Sequence, residues 1–158
     1  MIKRIFQVMA VALMAVSCES EYQTTLLDQE SFIDKYITSQ FADYEVTRND
    51  GVNRVVIREG SGSTVEKGDE VSFYYVGYVL TAQGPSTLFT TDRTTVTIGK
   101  GDVIKGIDLG LVGAKNGEES VLLFTAGYGY GKGAVNIVPE ASALLFQTVI
   151  TNVVKKTD

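Results

Sequence analysis

Residues 97–119 read TIGKGDVIKGIDLGLVGAKNGEE, with six glycines in 23 positions. Gly99, Gly101 and Gly106 frame a short apolar run flanked by Lys100 and Lys105. A dinucleotide loop needs Gly-x-Gly-x-x-Gly at a strand-to-helix turn in a parallel unit. Here the third glycine comes too late. A phosphate-binding P-loop needs Gly-Lys followed by Ser or Thr; Lys100 is followed by Gly101. The segment therefore reads as something other than a phosphate cradle. Within it, Ile104, Ile107 and Leu111 fall on one side of a short helix that Gly113 closes.

The flanking sequence is strand-like. EVSFYYVGYVL (70–80) is apolar on both faces. Val71, Phe73, Tyr75, Gly77 and Val79 point one way; Tyr74, Val76, Tyr78 and Leu80 point the other. TTVTIG (94–99) is a shorter strand, and EESVLLFTA and SALLFQTVITNVV are two more. YEVTR and NRVVIRE surround Asn49-Asp50-Gly51, a tight-turn signal. The expected architecture is α+β, an antiparallel β-sheet wrapped on one short α-helix. Upstream, Leu26, Ile33, Tyr36, Ile37 and Phe41 recur at helical spacing, and Thr25 with Asp28 has the form of a capping box. This predicts an N-terminal amphipathic helix over 25–42 that docks on the domain spanning 43–158.

The chain begins differently. Lys3 and Arg4 precede the apolar run IFQVMAVALMAV, which ends at Ser17-Cys18. That is the layout of a secretory signal peptide over residues 1–17, and the run is too short for a stable spanning anchor. AVSC resembles a loose lipobox, which makes Cys18, the single cysteine, the expected lipidation site. Residues 18–24 read as a polar tether. The expected location is the cell envelope, lipid-anchored and facing the periplasm or the cell surface. Glu19 and Glu21 weakly suggest surface export.

Composition excludes several classes of chemistry. Formal net charge is −5, and loss of Lys3 and Arg4 with the signal makes it more negative, which argues against nucleic acid as a partner. There is no histidine, hence no Ser-His-Asp triad and no histidine metal site. With Cys18 acylated no thiol nucleophile is left. No metal or cofactor is expected.

Four stretches in order, GDEVSFYYVGYVL (68–80), IGKGDVIKGIDLGLVGAKNGEE (98–119), GYGYGKG (127–133) and IVPEASALLFQTVI (137–150), resemble the FKBP-type peptidyl-prolyl cis-trans isomerases over roughly residues 52–155. The resemblance implies a hydrophobic cleft between sheet and short helix that takes a proline of a polypeptide segment. By resemblance, Val103 and Ile104 lie over that proline, and the Ile104 N–H donates to the adjacent peptide carbonyl. Tyr75 lines the cleft from the long strand. Phe89, in the following loop, is a wall. Ile107 is the floor, the Tyr130 hydroxyl meets substrate, and Phe146 comes from the last strand. Ile137 and Val138 lie on an overhanging loop.

The sequence departs from the family's usual pattern at several places. Thr90 follows Phe89 where Asp is usual. Ile107 replaces an aromatic floor, often Trp. Thr94 replaces a further aromatic, the loop between Phe89 and Val96 is short, and Pro139-Glu140 replaces Pro-Pro. These changes imply weak isomerase activity toward exported chains. They leave open a non-catalytic peptide-binding or scaffold lipoprotein. Oligomeric state is not legible.

Overall fold

The computed structural model describes the backbone of residues 2–157 and the side chains of residues 18–157. Its elements are α1 (Ile2–Gln40), β1 (Glu45–Asn49), β2 (Val52–Arg58), β3 (Glu70–Thr81), β4 (Gly84–Thr97), α2 (Lys105–Gly110), β5 (Glu119–Phe124) and β6 (Ala143–Val154), with a 3-10 turn at Ala126–Tyr128. The strands form one sheet in the order β1-β2-β5-β6-β3-β4. Every pairing is antiparallel. The α+β reading therefore holds. The hairpin falls where Asn49-Asp50-Gly51 predicted it, with Asp50 and Gly51 both at positive φ, 48° and 83°.

The sheet is apolar on both faces because both are covered. On one face Val71, Phe73, Leu122, Phe124, Leu144 and Phe146 pack with Ile107 and Leu111 of the α2 segment. On the other, Leu80, Val121, Leu123, Ala143 and Leu145 pack with Ile33 and Ile37 of α1. Alternation along β5 and β6 thus serves two cores at once. The glycines of the opening stretch belong to the first core. A Cβ at Gly106 would lie 2.5 Å from the Phe124 ring, and one at Gly110 would lie 2.8 Å from Leu122 Cδ1. Their function is close helix-on-sheet packing.

Beneath α2 is a buried ion pair. Arg54 Nε lies 3.4 Å from Glu118 Oε1, with both side chains less than a tenth exposed. Arg54 Nη1 donates to the carbonyls of Gly110, at 3.2 Å, and Val112, at 2.8 Å. Glu118 Oε2 accepts from the Lys115 N–H. Arg54 thereby holds the carbonyl end of α2 to the sheet. A second bracket ties the chain end. Asp69 accepts from Lys155 Nζ and from the backbone N–H groups of Lys156 and Glu66. Burial alone would raise the Asp69 carboxyl, but the Lys155 ammonium and the two N–H donors outweigh it and hold it low.

Several expectations change. β4 begins at Gly84 rather than near Thr94, so Phe89 lies on a strand and not in a loop. The Thr-rich run 90–95 pairs continuously with Ser72–Gly77, and β-branched side chains suit an extended edge strand. Residues 18–24, expected as a tether, are helical and continue α1. Gln23 bonds Glu19 one turn back, and Lys132 pairs with Glu19 at 2.5 Å while its ammonium lies 5.0 Å from the centre of the Tyr22 ring. The capping box is absent, because the Thr25 hydroxyl donates to the Glu21 carbonyl inside the helix. The expected signal over 1–17 lies outside the residues whose side chains are described. Among the described residues no helix is long and apolar enough to cross a membrane.

Candidate active site

One row of residues runs across the α2-facing side of the sheet. Gly77 on β3 stands opposite Thr90 on β4 and Phe146 on β6. Phe146 in turn stands opposite Leu122 on β5. Gly77 is required here. A Cβ would lie 2.7 Å from Phe146 Cε1, 2.7 Å from Thr90 Cγ2 and 2.9 Å from Phe89 Cζ. Its absence lets the Phe146 ring lie over the strand. Tyr75, two residues back on the same face, reaches that ring at 6.1 Å between centroids. Phe89 meets it edge-on at 5.6 Å, and Phe124 stacks at 5.9 Å.

Above this row is a cleft of about 470 Å³ lined by Tyr75, Thr90, Asp102, Ile104, Tyr130 and Phe146, with Gly101, Val103 and Ile107 completing it. Ile107 is only 4% exposed and forms the floor. Phe89 does not line the opening; it buttresses the wall from behind, 5.6 Å from Phe146 and 6.2 Å from Tyr130. Ile137 is well exposed, and it is not among the lining residues. Val138 corrects an expectation. It is 2% exposed and packs in the core, its backbone in reciprocal hydrogen bonds with Val135 of 3.0 and 2.9 Å. It is therefore no part of the cleft surface.

The polar groups of the cleft are few. Asp102 lines it, but its Oδ2 accepts from the Thr97 N–H at 3.0 Å. Asp108 Oδ1 likewise accepts from the Gly99 N–H at 2.8 Å. The two aspartates hold the glycine loop that precedes Val103. Ile104 is extended, with φ −59° and ψ 147°, and caps α2 without a side-chain bond. Among the described residues its N–H has no acceptor, as befits one of the open donors at a helix start. Burial, with Tyr75 adjacent, pushes the Tyr130 phenol above its ordinary value, so it is a protonated donor at neutral pH. The site offers apolar walls, with the Ile104 N–H and the hydroxyls of Tyr75, Thr90 and Tyr130 as neutral donors, and no strong nucleophile is among its lining residues.

Six of the nine expected cleft residues are brought together: Tyr75, Val103, Ile104, Ile107, Tyr130 and Phe146. Thr90, Gly101 and Asp102 were not foreseen as lining. Thr90 would have been found by pairing 90–96 with β3 in register. Asp102 had a signal only in its place beside the Val-Ile pair.

Residues 61–150 match the family model described as FKBP-type peptidyl-prolyl cis-trans isomerase. The chain belongs to that family. Among curated relatives, it is similar to FK506-binding protein 1 of Aspergillus oryzae, with 34% identity over 65% of this chain and 98% of the relative. It is also similar to the FK506-binding protein of Neisseria meningitidis serogroup A, at 33% identity over 61% of this chain and 91% of the relative. Of solved structures, the three FKBP domains of wheat FKBP73 superpose with a TM-score of 0.62 at 21% identity, covering 72% of this chain and half of that one. That likeness supports the FKBP fold. In this FKBP-type domain Thr90 lines the cleft and the buried Ile107 forms its floor.

Proposed function

We propose that the chain catalyses cis-trans isomerisation of Xaa-Pro bonds in exported polypeptides, slowly, from a lipid anchor at Cys18. The observation that supports this best is the cleft itself, where aromatic walls face an unpartnered Ile104 N–H and the Tyr130 phenol. The barrier to rotation is about 18–20 kcal/mol and comes from amide resonance. Twisting the C–N bond breaks the resonance and makes the group less polar than the planar amide. An apolar cleft then favours the twisted form relative to water. A fixed N–H donor on the neighbouring carbonyl holds the peptide while the proline turns. No proton transfer or nucleophile is required, which suits a chain without histidine. Each ~1.4 kcal/mol of preferential stabilisation is about tenfold in rate.

The geometry supports the following roles. Tyr75, Ile107 and Phe146 contact the proline ring, Val103 and Ile104 lie over it, and Tyr130 donates to the peptide. Phe89 supports the wall. Tyr130→Phe removes one donor and no packing volume. It is expected to lower kcat/KM by about tenfold, the value of one hydrogen bond of ~1 kcal/mol or slightly more, with thermal stability unchanged. Stopped-flow isomerisation of a peptide with an apolar residue before proline reads this directly. Unchanged kcat/KM removes Tyr130 from the site.

The anchor has its own test. Cys18 is exposed and precedes the acidic Glu19-Ser20-Glu21 run. An acidic chain is repelled by anionic lipid, so acyl chains must supply the attachment. In the native host Cys18→Ala is expected to shift the protein from the membrane to the soluble fraction, or to stop its processing. A variant that is cleaved and fractionates like the parent shows there is no anchor at Cys18.

A further inference from the structure

Gln29 interrupts the apolar stripe of α1. It precedes Ile33 by four residues, so it faces the same side, and it is only 5% exposed. A leucine would continue the stripe there. The amide instead reaches two distant loops. Its Oε1 accepts from the Ala126 N–H at 2.8 Å, and its Nε2 donates to the Ala141 carbonyl at 2.6 Å. Those loops are tied to each other as well. The Gly131 N–H donates to the Ala126 carbonyl at 2.9 Å, and the Ala141 N–H donates to the Gly131 carbonyl at 3.1 Å. Four bonds thus close a ring through Gln29, Ala126, Gly131 and Ala141, and Tyr130 is the residue immediately before Gly131.

Two further features show that this ring holds a shape the loops would not keep alone. Ala141 has φ 48°, a left-handed conformation unfavourable for a residue with a Cβ. Both its N–H and its carbonyl are engaged in the ring. Ala126 is fully buried, so without Gln29 its N–H would have no partner. Leu26, one turn before Gln29, faces Gly127, where an added Cβ would lie 3.6 Å from Leu26 Cδ1, and Glu19 and Tyr22 meet Lys132. The first described turns of α1 therefore follow the tyrosine loop along its length.

We propose that Gln29 is a positioning residue, fixing the loop that carries Tyr130 against the cleft and so making α1 part of the site. Its effect on rate rests on the isomerase reading; its effect on the loop does not. The Tyr130 and Phe89 rings meet edge to face with centroids 6.2 Å apart, so the Tyr130 ring resonances report its position through the ring-current field of Phe89.

The test compares Gln29→Met with Ile37→Val in the full chain. Both lie on α1 and both perturb its docking, but only the first breaks the ring. Gln29→Met is expected to raise amide exchange at Ala126, Gly131 and Ala141 at least tenfold over the global rate change. The Tyr130 ring resonances move toward their unstructured values, and kcat/KM falls on the order of tenfold with most of the loss in kcat. Ile37→Val lowers stability and leaves all three unmoved. If Gln29→Met leaves the exchange and the Tyr130 resonances as they are in Ile37→Val, the proposal is overturned. Should Gln29→Met not fold, Gln29→Glu takes its place: it keeps the acceptor for Ala126 and loses the donor to Ala141, and the same signals at Ala141 and Tyr130 decide. A parent with no isomerase activity contradicts the isomerase reading alone, because exchange and resonances still report the loop.

Discussion

Arg54→Met is expected to destabilise the fold by about 3–5 kcal/mol, the usual consequence of removing one partner of a buried ion pair. Glu118 would remain inside, 5% exposed at its side chain, with its charge unopposed. The Gly110 and Val112 carbonyls would lose their donor as well. Methionine fills most of the volume, so the loss reports charge and hydrogen bonding rather than a cavity. Adding Glu118→Gln is expected to recover a large part of it, since the stranded charge then disappears. A loss of this size is a substantial share of a typical domain's 5–15 kcal/mol. Urea denaturation of the parent, the single and the double variant measures it. A single variant within ~1 kcal/mol of the parent would show that Glu118 finds another partner or water.

Phe146→Ala carries the other large effect, again about 3–5 kcal/mol, this time from a cavity. The ring is 1% exposed and touches Tyr75, Phe89 and Phe124, with centroid separations of 5.6 to 6.1 Å. It is both core and cleft wall. Folded variant, quantified by denaturation, is expected to retain less than a tenth of the parent's kcat/KM, because Tyr75 and Phe89 lose the surface they rest on. Should activity per folded molecule stay at the parent level, Phe146 is core alone and the cleft must be drawn without it.

The opening stretch was legible because its period is helical and short, and because its glycines fail the spacing of a phosphate loop. The structure adds why they are glycines: Gly106 and Gly110 let α2 lie directly on Phe124 and Leu122. Strands β3, β5 and β6 were legible from dense apolar residues. Of β4 only the end from Thr94 was legible, because the run from Thr90 to Thr95 is polar throughout. An edge strand with one solvated face and one partner needs no apolar alternation. Val138 misled for the opposite reason: Ile137 and Val138 look alike in sequence, and only the bridge to Val135 decides which one turns inward. Gln29 and Arg54 carried no signal. Each is a polar residue whose hydrogen-bond partners are backbone groups far along the chain, and spacing within a helix or strand does not reveal such contacts. The tether reading failed because contacts from Lys132, more than a hundred residues away, sit against helix that local composition left undecided.

The proposed catalysis rests on a cleft without a nucleophile. The most direct measurement is the isomerisation rate of an apolar-residue-Pro peptide with the chain lacking residues 1–17, its folding checked beforehand by near-ultraviolet circular dichroism. The expected result is a rate above buffer that rises linearly with protein concentration, is independent of added metal or chelator, and drops in Tyr130→Phe. A well-folded parent that leaves the rate at the buffer value at every concentration would contradict it, and would leave the cleft as a peptide-binding surface only.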